Sequence, residues 1–100
     1  MALVSTQANA SDTSTGSITI VRLANNWSEN TLAVFPANPV INPDGCSIAS
    51  FYSTNASNPG NQLMQALLTS AFMGGRSVTL TVSGCYEGYP EIISVQINPS

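Results

Sequence analysis

Charge is what this sequence has least of. Charged residues make up 7% of its 100 residues, against roughly 25% in an ordinary soluble domain. Only Arg22 and Arg76 are basic, and the formal net charge is −3. Binding a phosphate backbone takes clustered Lys and Arg, so nucleic acid and anionic membrane surfaces are poor partners for this chain. There is no histidine, which removes the usual general base and the commonest metal ligand. No cofactor and no metal are expected. No apolar run approaches the roughly 20 residues that span a bilayer, so no membrane insertion is expected. The acids are five: Asp12, Glu29, Asp44, Glu87 and Glu91. Glu29 and Glu87 would resemble the carboxylate pair of a glycosidase if their loops shared a face. Solvated loop carboxylates are the plainer reading, and the chain is not expected to be an enzyme.

Polarity comes instead from Ser, Thr and Asn, while 43% of the residues are hydrophobic. One domain with a real core is within reach of this length. A surface of hydroxyls and amides suits an extracytoplasmic protein, or one that buries much of its surface in an oligomer. Cys46 and Cys85 are the only cysteines. An even count in a small chain of low charge suggests a disulfide and an oxidising compartment, two buried thiols being the other reading. Ala8-Asn9-Ala10 has the A-x-A form of a signal-peptidase site. Residues 1–10 are therefore read as a signal-peptide remnant or flexible tail, residues 11–16 as a flexible lead, and 17–99 as the domain. The localisation expected is secreted or periplasmic. Asn9, Asn26 and Asn55 lie in N-x-S sequons.

Periodicity places the elements. "GSITIVRLA" alternates and is rich in β-branched residues, which predicts a strand over 17–24. "TLAVFPA" predicts a second over 31–36, with Pro36 at an edge or a strand end because it cannot donate to a ladder. "CSIASFYS" predicts a third over 46–53, with Ile48 and Phe51 in the core. From Asn61 to Met73 the apolar residues recur at helical spacing. Asn58 can cap this helix and Gly74-Gly75 ends it; its broad apolar stripe predicts that most of it is buried, and its lack of charge points to a second burial surface. "RSVTLTVSG" predicts a fourth strand over 76–83, with Val78, Leu80 and Val82 on one face. "EIISVQIN" predicts a fifth over 91–98, with Ile93, Val95 and Ile97 inward and Val95 beside Leu80. The fold expected is mainly β with one helix at about 61–73. The order β-β-β-α-β-β is that of a five-stranded OB-type barrel, which has no free edges.

"SGCYEGYPEI", residues 83–92, then becomes the loop between the last two strands. Gly84 and Gly88 permit turns that other residues resist, Cys85 ties the loop to the third strand, and Tyr89-Pro90 is a plausible cis peptide. Tyr86, Glu87 and Tyr89 are not required by a turn. The loop between the first two strands carries Asn26, Trp27 and Glu29. In OB folds these two loops border the ligand face. Both combine an aromatic, a carboxylate and amide or hydroxyl groups, a mixture that suits sugars. The competing reading has Trp27 packed on the barrel end and the tyrosines closing the core.

The run "NQLMQALLTSAFMGGRSVTLTVSGCYEGYPEIISVQI" resembles the B subunits of AB5 toxins of the subtilase cytotoxin and typhoid toxin kind, and their secreted relatives. A helix, a Gly-containing turn, a V-x-L-x-V strand, an aromatic-Pro step and a last strand carry the resemblance, over residues 61–97. It implies an OB-fold protomer, a ring-shaped homopentamer with helices around a pore, and recognition of cell-surface glycans, often sialylated. A toxin A subunit is a further partner in such assemblies. Only Tyr89-Pro90 matches within a loop, so no sugar contact carries over residue by residue. The expectation is a non-enzymatic glycan-binding module working as a homo-oligomer, pentamer favoured. The alternative is a protein-interaction domain, an inhibitor or assembly partner, that binds no sugar.

Overall fold

The computed structural model describes residues 12–25 and 30–99. It is mainly β, with a six-stranded mixed sheet and one helix. The strands are β1 (Thr13–Ile18), β2 (Ile20–Asn25), β3 (Leu32–Pro36), β4 (Tyr52–Ser53), β5 (Val78–Tyr86) and β6 (Tyr89–Ile97), with α1 (Asn61–Met73) between β4 and β5. Hydrogen-bonded neighbours run β1-β5-β6-β4-β3-β2, and only β4 and β6 are parallel. The five-stranded closed barrel is not what these bonds draw. Among the described residues there are six strands, and the sheet is open between β1 and β2.

The extra strand arises at Thr19. The stretch expected as one strand over 17–24 is interrupted there, and its two halves pair with different partners. β1 begins at Thr13, so residues 13–16 are strand and not a lead. Gly16 (φ 69°) is an extra residue between the Ser14 and Ser17 pairings. There the Thr15 hydroxyl accepts the Leu80 N–H at 3.1 Å, replacing the ladder bond that the bulge displaces. The signal-peptide remnant, residues 1–10, lies outside the described residues.

The core forms as alternation predicts on β5. Val78, Leu80 and Val82 are buried and pack with Ile18, Ile20, Val34, Tyr52 and Ile92. Leu80 lies opposite Val95, as expected. On β6 the expected parity fails at Ile93, which is exposed, while Ile92 is fully buried. The register shifts between Thr81↔Ser94 and Val82↔Ile92. One extra residue at that bulge turns Ile93 outward and brings Ile92 in.

The third expected strand shrinks to Tyr52–Ser53. Ile48 is 40% exposed, so it is not a core residue, and Tyr52 takes the core position instead. The Tyr52 hydroxyl accepts the Ile41 N–H at 2.9 Å, and burial pushes its pKa up.

The helix matches its expected bounds. Its start is Gly60 without a side-chain cap; Asn58 instead accepts the Gly60 N–H at 2.8 Å. Gly75 (φ 67°) ends it in the left-handed conformation, and the Arg76 N–H returns to the Ala71 carbonyl at 2.8 Å. Burial is narrower than expected. Met64, Leu68 and Ala71 face the core, while Leu63 is 67% and Met73 78% exposed. A broad apolar stripe predicted that most of the helix is buried; only the narrow stripe of Met64, Leu68 and Ala71, with Asn61, is enclosed.

Candidate functional site

Four pairings line up one row of side chains across the outer face of the sheet. Arg22 on β2 lies opposite Phe35 on β3. Val34 lies opposite Tyr52, so the next residue along, Phe35, comes beside Phe51. Ser53 pairs in parallel with Glu91, so two residues earlier Phe51 comes beside Tyr89. Tyr89 in turn lies opposite Tyr86 across the β5–β6 hairpin. Directly opposed residues share a face. Val34 and Tyr52 are fully buried in the core, so their neighbours Phe35 and Phe51 fall on the other face.

The contacts follow that register. The Arg22 guanidinium sits 4.6 Å from the Phe35 ring centre. Phe35 and Phe51 are 4.8 Å apart and tilted by 43°. Phe51 and Tyr89 are 4.3 Å apart and stacked at 26°. Each such aromatic pair is worth about 0.5–1.5 kcal/mol beyond its burial. Phe51 therefore covers one face of Tyr89. The Tyr89 end of the row, next to Tyr86, is the end with phenol hydroxyls.

The hairpin holds that end in place. Its turn is only Glu87-Gly88, both with positive φ (53° and 91°), the geometry of a two-residue hairpin. The long loop expected over 83–92 is thus mostly strand. The Tyr89-Pro90 peptide is trans, since no cis bond occurs among the described residues. A Cβ on Gly88 would meet the Ser47 Oγ at 2.9 Å, because the 46–51 segment lies against the turn. Two ties bind that segment there, the Cys46–Cys85 disulfide (Cα–Cα 5.6 Å) and the Ile48 N–H to the Gly88 carbonyl (2.8 Å), and just before it Asp44 Oδ2 accepts the Gly84 N–H (2.7 Å). Phe51 lies at the end of this segment, directly before β4.

Glu91 stands two residues from Tyr89 on the same outer face. Burial raises its pKa, and a side-chain hydrogen bond with Asn55 works against that rise. Asn55 is itself fixed, since its Oδ1 accepts the Ser57 N–H at 2.8 Å. Ring, carboxylate and amide thus occupy one half-buried surface.

Of the residues singled out from sequence, Tyr86, Glu87 and Tyr89 come together at the hairpin. Asn26, Trp27 and Glu29 lie outside the described residues. Arg22, Phe35, Phe51, Asn55 and Glu91 were missed. Their joint position depends on strand register, and alternation within one strand carries no register. Among the described residues no group of three or more His, Cys, Asp and Glu could hold a metal ion, and no helix is long and apolar enough to cross a membrane.

The site belongs to a disulfide-bonded, mainly β domain with an aromatic row on its outer face. No protein-family model matches the chain, and no curated protein matches it.

Proposed function

We propose that this chain is a secreted or periplasmic, non-enzymatic glycan-binding module, an OB-type barrel related to toxin B subunits and working as a homo-oligomer. The observation that carries sugar binding is the surface made by Tyr86, Tyr89, Glu91 and Asn55. Apolar ring surface accepts the C–H faces of a sugar, and fixed carboxylate and amide groups bond its hydroxyls. Glu87 borders this surface; Asn26, Trp27 and Glu29, proposed from the sequence for the same ligand, lie outside the described residues.

The barrel reading is supported by Thr19. β1 and β2 are the two edges of the sheet yet are separated by that residue alone, and Ile18 and Ile20 on either side are both buried. Read as two halves of one bent strand, they return the order to β-β-β-α-β-β. The Cys46–Cys85 disulfide supports an oxidising compartment. Exposed Leu63, Phe72 and Met73 on an uncharged helix support packing against further copies, a pentamer by the resemblance, with a toxin A subunit as a further partner. The same helix face favours the second reading, a protein-interaction domain without sugar binding.

One experiment separates them. The non-reduced protein is sized by light scattering and applied to a glycan array, beside Tyr89→Ala and Phe72→Ala. The expected result is a five-protomer mass and sugar binding that Tyr89→Ala reduces about fivefold or more, taking the contact at about 1–3 kcal/mol, that of a planar ring stacked on an aromatic side chain, while Phe72→Ala spares it. An empty array with intact protein selects the interaction domain.

A further inference from the structure

We propose that the sugar site selects by charge: it prefers glycans bearing a free ammonium group and rejects sialylated ones. The inference rests on the glycan reading above and names the class of sugar. It starts from where the two cations of the chain are spent. The Arg76 guanidinium donates twice to the Asn98 carbonyl, at 3.2 and 2.8 Å, near the start of β5. Arg22 lies on Phe35 at the far end of the row, with Phe51 between it and Tyr89. The chain has no other Lys or Arg and no His. Neither guanidinium is placed to neutralise the Tyr89 end.

That end holds carboxylates instead. Glu91 shares the face of Tyr89, and Glu87 forms the turn between the two tyrosines. Glu91 is half-buried, and the side chain that hydrogen-bonds it, Asn55, is a neutral amide. A ligand ammonium placed between Glu91 and the rings answers both, through the carboxylate and through the ring quadrupole. An anionic sugar brought to the same place meets like charge in a partly desolvated setting, which is unfavourable. The net charge of −3 adds a weaker repulsion of the same sign.

The test uses the intact, disulfide-bonded protein on matched glycans that differ in one group: hexosamine-terminated against N-acetylhexosamine-terminated, and galactose-terminated against the same chain capped with sialic acid. At low ionic strength the free amine is expected to bind about threefold better than its N-acetyl form, the scale of a partly exposed ion pair. The sialylated chain is expected to bind correspondingly worse than its uncapped partner. Added salt narrows both ratios. Glu91→Gln keeps a group that can accept from Asn55 and lowers the amine-to-acetyl ratio toward one; Arg76→Gln, away from the site, leaves it unchanged. Sialylated glycans bound best, or a ratio untouched by Glu91→Gln, overturns the charge rule and leaves the glycan reading standing. Sialylated binding that vanishes in Arg22→Gln also overturns it, by moving the ligand to the other end of the row. Failure of every glycan to bind overturns both.

Discussion

Two faces of the same strands meet different fates here. On the inner face Val34, Tyr52, Leu80 and Ile92 are fully buried. On the outer face Phe35 beside Val34, Phe51 beside Tyr52 and Tyr89 beside the buried Pro90 stay half-buried and pack on one another. The inner set is held by exclusion of water, which is roughly indifferent to geometry as long as volume is filled. The outer set depends on register, because each ring needs its neighbour at one particular rung. A change on the inner face should therefore be felt by the whole molecule, and one on the outer face mainly by the row.

The disulfide gives the strongest way to test that division. Replacing both Cys46 and Cys85 by Ser removes a cross-link between positions 39 residues apart, worth about 4 kcal/mol in the chain-entropy model. Urea unfolding should show that loss, and hydrogen exchange should show the added opening concentrated in 46–51 and 84–90. Equal loss of protection in 78–82 would mean that the two faces are one cooperative unit. Next in size is Leu80→Ala, which opens a cavity in the inner face and should cost about 3 kcal/mol by the same unfolding measurement. Sugar binding per folded molecule should not change. A selective loss of binding at intact stability would erase the distinction between the faces. Smallest is Phe35→Leu, which removes one ring pair and one cation–ring contact at about 1 kcal/mol in all. Near-ultraviolet circular dichroism should change more than the melting temperature does.

Much of this was legible before any coordinates. The helix over 61–73 was readable because its apolar spacing repeats for three turns and two glycines follow it. Val78, Leu80 and Val82 were readable because nothing interrupts their alternation. The disulfide followed from having two cysteines and few charges. Ile93 misled because a bulge inverts parity without any mark in the residue types. The stretch 46–53 has strand-like composition, yet its place is decided by ties to a hairpin far along the chain. Tyr86, Glu87 and Tyr89 could be proposed for a site because a turn alone does not explain them. Phe35, Phe51 and Glu91 could not, since each looks ordinary within its own strand and is notable only beside the others.

The split at Thr19 has a consequence for the order in which the protein can form. β2 pairs with β3, close behind it, but Thr13 on β1 waits for Val82 and Ser14 for Thr81. Contacts between distant positions close loops at an entropic cost before they return anything, and they slow folding toward the millisecond-to-second range. During synthesis most of the chain must be made before β1 has a strand to join. The earliest of the described strands is thus among the last to be paired, and until then its backbone donors and acceptors are open to any other edge it meets.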